Sequence, residues 1–253
     1  MNFKKAFKKA AITTAALAFW ILLWFLLSKK VSSIFILPSP LEVFPRILEI
    51  AATCNFYQVL AASFIRIMLG FVLGSFFGFL LGFFTYYIPF AKAIFSPLMS
   101  IIRATPVASF ILVVIFWVER DLVPTVISLL MVLPIVWKNT ELGLEQRDGH
   151  LTELAKVYRF GAWKTLFRID LPQVIPFVSS ACETSLGLAW KAGVAAEVLA
   201  LPNVSVGEMI FHAKLYLETV DLYAWTIALI IFSVLLEKIF RALFRKRERS
   251  FGC

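Results

Sequence analysis

The chain has 253 residues, of which 60% are hydrophobic and 16% charged, with a formal net charge of +9. Soluble domains carry roughly 25% charged residues, so an ordinary water-soluble globular protein is excluded, and apolar runs long enough to cross a bilayer place the chain among membrane proteins. The positive charge does not point to nucleic acid, because the basic residues gather at the ends and in loops and no aromatic and basic surface repeats.

Lys4, Lys5, Lys8 and Lys9 precede an apolar run, Ala10–Leu27, and Ser28-Lys29-Lys30 follows it without a small-x-small cleavage site. This reads as a retained first span and not as a removed signal. A loop from Ser28 to Gln58 holds Leu37-Pro38-Ser39-Pro40, a rigid extended approach to a helix, and then a short amphipathic stretch ending near Ala52, read as an interfacial segment. The second span, Val59–Ile88, carries Gly70, Gly74, Gly78 and Gly82 at regular spacing. They form a small-residue ridge that lets another helix approach closely in lipid, within the chain more readily than between copies. The third span, Ile94–Val118, is interrupted near Arg103 and Pro106, and the fourth is Leu122–Trp137.

A charged island follows, Leu151 to Pro172. Leu151, Leu154, Ala155 and Tyr158 form one apolar helical stripe, Gly161 breaks the run, and Trp163, Leu166 and Phe167 begin a second. Two short amphipathic helices on a membrane surface are expected, with their charges toward water. The fifth span, Val174–Leu201, contains Glu183, Trp190, Lys191 and Glu197. Ionisable groups at such depth face a pore, a cavity or a partner charge. Glu183 and Lys191 are separated by about 12 Å along a helix, too far to pair directly. Lys191 is either a group bordering a substrate path, where its charge favours an anion, or a snorkelling or paired side chain. Trp190 either lines the path or packs between helices. The sixth span is Leu222–Phe240, ahead of a basic tail.

The expected fold is therefore all-α and polytopic, with about six transmembrane helices. The expected organisation is residues 1–58 (arm, first span and outer loop), 59–240 (a core of five spans including the loop 138–172) and 241–253 (basic tail). With the N-terminus inside, the outer segments hold only Lys29, Lys30, Arg46, Arg120 and Lys214, and the remaining loop cations lie inside. Both termini and the island are then cytoplasmic. Cys54, Cys182 and Cys253 are scattered, and His150 and His212 lack ligand spacing, so neither a disulfide framework nor a metal site is indicated. No catalytic cluster and no phosphate-binding GxxxxGK[ST] loop is present.

Glu153-Leu154-Ala155, Ile169 and Leu171-Pro172 resemble the EAA loop of permease subunits in bacterial ATP-binding-cassette importers. Leu154 replaces an alanine of that pattern. Arg159 stands where its glycine is expected, which displaces the expected turn toward Gly161. Leu37-Pro38-Ser39-Pro40, Ser63-x-x-Arg66-x-x-x-Gly70-Phe71, Arg103-x-x-Pro106, Leu186-Gly187-x-Ala189-Trp190 and Ala196-Glu197 are similar to the nitrate, sulfonate and taurine branch.

The resemblance implies a type I importer permease (MetI-like) architecture in the bacterial inner membrane. It also implies a coupling helix docked on a separate ATPase subunit, with Glu153, Lys156 and Arg159 at the rim and Tyr158 and Phe160 in the groove. No cofactor is implied on this chain, since ATP and Mg belong to the ATPase. An extracytoplasmic solute-binding protein and a second permease copy, in a homodimer, complete the implied assembly. The chain is thereby expected to be a transport subunit and not an enzyme. The solute is expected to be a sulfonate, taurine, nitrate or similar small anion, with a thiamine-precursor pyrimidine as the alternative within the class. The competing class is an ATP-independent secondary transporter or channel, which repeated or paired discontinuous helices would mark. A membrane enzyme would need clustered His, Cys or carboxylates at one face.

Overall fold

The computed structural model describes the backbone of residues 2–31 and 33–251, and the side chains of 12–31, 33–151, 153–155 and 157–242. All regular secondary structure among the described residues is helical, with no strand. The helices are α1 (Asn2–Val31), α2 (Pro40–Ala51), α3 (Cys54–Tyr87), α4 (Pro89–Ala104), α5 (Val107–Ile115), α6 (Val123–Glu145), α7 (Gly149–Val157), α8 (Ala162–Thr165), α9 (Leu171–Ala200), α10 (Val206–Leu215) and α11 (Thr219–Phe251). A 3₁₀ turn at Arg120–Leu122 precedes α6, and a π-helical turn at Leu166–Asp170 joins α8 to α9. The side chains of the N-terminal lysines and of Lys156, Cys253 and most side chains of the basic tail lie outside the described residues.

Two compact units form. The first joins residues 1–58 to 209–230, and the second joins 59–208 to 231–253. In the first unit, Glu42 accepts the Ser39 N–H at 2.8 Å to start α2, with Pro40 in the first turn, where its missing N–H is harmless. Trp24 of α1 donates to the Pro38 carbonyl at 3.1 Å and stacks on Tyr223 of α11. Arg46 of α2 grips Asp221 with Nε and a terminal nitrogen at 2.6 and 2.8 Å. The amphipathic segment is thus tied at its start and at its middle.

In the second unit, α6 and α9 pack along one another, and Ile111, Val123, Ile127, Ala192 and Ala196 close a core with α5. Met99, Ile102, Leu133 and Trp137 form another core between α4 and α6. The glycine ridge of α3 lies against the α6 backbone. A Cβ on Gly74 would sit 2.7 Å from the Leu129 carbonyl oxygen, one on Gly78 2.7 Å from that of Leu133, and one on Gly82 2.5 Å from the Thr140 Cβ. A Cβ on Gly70 would overlap the Thr125 carbonyl. The two backbones approach as closely as they do only because these positions lack side chains.

Among the described residues, four helices are long and apolar enough to cross a membrane: Ile12–Val31, Cys54–Tyr87, Arg120–Glu145 and Thr219–Ala242. α4 and α5 make a fifth only as a broken span, bent by 107°. The break is at Thr105-Pro106: proline lacks the N–H that would continue the helix and drives its predecessor to extended geometry, and Thr105 has ψ 129°. The remaining expected span, α9, has 30 residues and is about 45 Å long at 1.5 Å per residue. It is less apolar than the others because much of it is sheathed by protein, and it carries serines, a threonine and three ionisable groups. α6 runs two turns beyond the expected Trp137, to Glu145.

Candidate functional site

The island folds as a helical hairpin. The Tyr158 N–H donates to the Leu154 carbonyl at 3.0 Å and the Phe160 N–H to the Ala155 carbonyl at 2.9 Å, with Arg159 left-handed at φ 50°. This is a Schellman ending of α7, with Arg159 in the position that glycine normally fills. The turn is therefore not displaced to Gly161, as the sequence had suggested. Gly161 is extended (φ −66°, ψ 159°) and serves as the N-cap residue of α8.

The apolar stripe of α7 is not covered by the chain. Ala155 alone of that stripe is buried, while Leu151, Leu154 and Tyr158 are exposed. Glu153, Arg159 and Gly161 are exposed as well. Trp163 and Phe167 stack on each other, centroids 6.1 Å apart, and both are largely exposed. Phe160, expected to fill a partner's groove, is half-buried and lines a cavity of about 530 Å³ beneath the hairpin, with the Lys164 ammonium 4.0 Å above its ring. Ile169 is buried, Leu171 half-buried and Pro172 exposed, at the junction with α9. The hairpin thus presents a free apolar and aromatic face bordered by charge, the composition of a docking surface.

Its base is polar. Asp170, nearly fully buried, accepts from Arg147 at 2.7 Å and from the Tyr87 hydroxyl at 2.8 Å. Arg147 also donates to the Tyr86 hydroxyl at 3.2 Å. Burial works against the charge on Arg147, but the hydrogen bond and charge of Asp170 outweigh it, and the arginine pKa is raised. Across the same base, the Asp148 N–H donates to the Gln173 side-chain oxygen at 2.7 Å.

The four ionisable or aromatic candidates of α9 do not converge. Glu183 pairs with Arg241 at 2.8 Å. Trp190 is enclosed and packs on Phe232, centroids 5.1 Å apart. Glu197 is fully buried: one carboxylate oxygen accepts from the Ser63 hydroxyl at 2.8 Å and the Gly207 N–H at 3.2 Å. Trp190 and Glu197 therefore stand inside the chain and not on an open path, because helix packing and the 201–207 loop surround them. Lys191 alone of the four is exposed.

Two networks escaped sequence reasoning. Glu141 is fully buried, accepts from Thr85 at 2.9 Å and lies 3.5 Å from both Lys92 and Lys138. The spacing of Lys138 and Glu141 on one helix was its only sequence signal. Arg66 donates to the Asn203 and Val204 carbonyls at 2.7 and 3.0 Å, and no local pattern connects those positions. Among the described residues no three or more His, Cys, Asp or Glu side chains gather to hold a metal ion.

Comparison with known proteins bears on this arrangement. The chain is similar to a protein of Bacillus subtilis described as an aliphatic sulfonates transport permease, SsuC, at 27% identity over 83% of this chain and 76% of that one. It is similar to the taurine transport system permease protein TauC of Escherichia coli, at 25% identity over 94% and 89% of the two chains. The bicarbonate transport system permease protein CmpB of Synechococcus elongatus is 29% identical over 62% of this chain and 57% of its own. Residues 70–250, which contain the hairpin, its polar base and the α3–α6–α9 packing, match one family over more than half of the chain. The chain belongs to the binding-protein-dependent transport system inner membrane component family.

Proposed function

We propose that this chain is the membrane-spanning permease subunit of an ATP-driven importer, moving a small anionic solute by alternating access. The observation that carries the reading is the α7–α8 hairpin, which leaves Leu151, Leu154, Tyr158, Trp163 and Phe167 in the open at the position of the EAA loop. An apolar and aromatic cluster of this kind beside charge fits a protein partner better than water. The partner is an ATPase subunit, which binds ATP and Mg and hydrolyses the nucleotide. Its closure draws the hairpins of two permease copies together and switches the cavity between them from one side of the membrane to the other. Glu153, Lys156 and Arg159 meet the ATPase at the rim.

The second copy makes a homodimer, and a solute-binding protein outside the cell delivers the cargo. The termini and the hairpin lie in the cytoplasm, following the excess of Lys and Arg there. The cargo is a sulfonate, taurine, bicarbonate, nitrate or comparable small anion. Its class is supported by the names of the relatives; Lys191, exposed on α9, would border the path in the dimer and favour an anion there.

Co-expression of the tagged chain with a candidate partner ATPase from the same organism tests this. Wild type should purify as a stoichiometric complex, and the Glu153→Ala/Tyr158→Ala double variant should lose most of the ATPase while staying folded in detergent. Uptake by reconstituted liposomes should need both ATP and binding protein. A wild-type chain that purifies alone and transports solute without ATP would instead be a secondary transporter. Lys191→Ala should weaken uptake of anionic solute severalfold, and unchanged uptake would remove Lys191 from the path.

A further inference from the structure

Force applied to the docking face of the hairpin must cross the packing beneath it to reach the membrane helices. Between the hairpin and the bundle lies the cavity of about 530 Å³, with Ala155, Phe160, Ala162 and Trp163 on the hairpin side and Tyr87, Arg147 and Asp170 on the other. Close-packed interiors transmit displacement because they resist compression; an open cavity does not. The join to α9 is a π-helical turn, Leu166–Asp170, a geometry found chiefly as single-turn interruptions at functional sites. A push on α7 or α8 can therefore be absorbed by collapse of the cavity unless something else holds the hairpin's two ends.

The structure assigns that role to Asp170. We propose that Asp170, held by Arg147 and Tyr87, is the positioning residue that couples the hairpin to the membrane helices. Arg147 lies just before α7 and Asp170 at the end of the π turn, so their bond at 2.7 Å closes the hairpin at its base across 23 residues of chain. Tyr87 is the last residue of α3, and its hydroxyl donates to the second Asp170 oxygen at 2.8 Å. The Arg147 guanidinium stands over the Tyr86 ring, 5.3 Å from its centroid. Asp170 is 3% exposed while Arg147 is half-buried and Tyr87 exposed, and hydrogen bonds to a charged partner are shorter and stronger than neutral ones. One carboxylate thus ties the start of the hairpin, its end and the end of the glycine-ridged helix into a single joint. With the joint intact, displacement of the hairpin moves α3 and α9 together; without it, the hairpin tilts into its cavity and the spans lag.

This inference rests on the ATPase-docking reading, and the test separates the two. Asp170→Asn, Arg147→Gln and Tyr87→Phe variants are purified as full complexes with the ATPase and binding protein and reconstituted in liposomes. Solute taken up per ATP hydrolysed is then measured. ATPase copies per permease should remain as in wild type, since the docking face is untouched, and ATP hydrolysis should persist. Uptake per ATP should fall at least fivefold in Asp170→Asn and less in Tyr87→Phe. A reversed pair, Arg147→Asp/Asp170→Arg, should recover part of the ratio, an outcome that a general loss of stability does not produce. If Asp170→Asn assembles and transports with the wild-type ratio, the joint is not what couples the helices, and the docking reading survives. If Asp170→Asn fails to assemble, Tyr87→Phe decides: an unchanged ratio in that variant overturns the inference. Failure of wild type to bind an ATPase would sink the docking reading itself.

Discussion

Arg159 shows how a single residue can keep a motif's geometry while breaking its sequence rule. The Phe160 to Ala155 bond and the left-handed backbone at 159 are what a glycine would give without strain. A side chain in that region costs roughly 1–2 kcal/mol, partly offset because glycine would leave the unfolded chain more freedom. Arg159→Gly should therefore stabilise the hairpin by about 0.5–1 kcal/mol, seen as roughly two- to fivefold slower amide exchange in α7. Gly161→Ala should change exchange little, since Gly161 is extended and a Cβ there meets nothing within 4 Å. Unaltered exchange in Arg159→Gly would mean that α7 is held by something other than its cap. The place of the hairpin was legible because its charges interrupt greasy sequence. Its turn was misread because glycine was taken as the marker of the bend, whereas here the hydrogen-bonding pattern places the bend and the residue conforms. Asp170 gave no signal at all: its partners are 23 and 83 residues away, and nothing local ties them together.

Among the elements, those that lipid must accept are written most plainly in the sequence. α1, α3, α6 and the apolar part of α11 follow from uninterrupted hydrophobic length, since every backbone group in lipid must be bonded within the segment. The break between α4 and α5 was legible through Pro106, although the 107° bend depends on what the two pieces pack against. α9 is recognisable by length but not by apolarity, because α6 and its neighbours replace lipid around it. α10 was missed: as a short helix of mixed character with a loop on each side, it has no periodic face to betray it. The glycine ridge makes a quantitative claim about α3 and α6. A methyl group at Gly70 would press on the Thr125 carbonyl, and the backbone cannot yield there without opening the contacts at Gly74 and Gly78. Gly70→Ala should thus cost about 1–3 kcal/mol, in the range of overpacked cores, and lower the melting temperature in detergent by about 2–4 °C for each kcal/mol. Gly149→Ala, where a Cβ meets nothing, is the matched control. Equal melting temperatures for the two would show that the α3–α6 contact is looser than its geometry indicates.

At the scale of the whole molecule, the decisive variable is which way round the chain sits, because a docking hairpin is useful only where ATP is. Charge alone argues for a cytoplasmic hairpin: Arg147, Arg159, Lys164 and Arg168 cluster about it, whereas the connections before α3 and after α10 are poor in cations. Cysteine accessibility checks this without reference to any partner. Cys54 is exposed at the start of α3 and Cys182 is buried in α9, so with Cys182 and Cys253 replaced by serine the native Cys54 becomes a reporter for the side proposed to be the outer one. It should react with a membrane-impermeant maleimide in intact cells. With Cys54 also replaced, a Gly161→Cys variant should stay unlabelled in intact cells and react in inverted vesicles. Gly161 suits the probe because it is exposed and crowds nothing. Labelling of Gly161→Cys from outside would put the hairpin beyond the reach of nucleotide. The aromatic face would then have to serve some other contact, and the importer reading would fall even if the chain's family and fold stood unchanged.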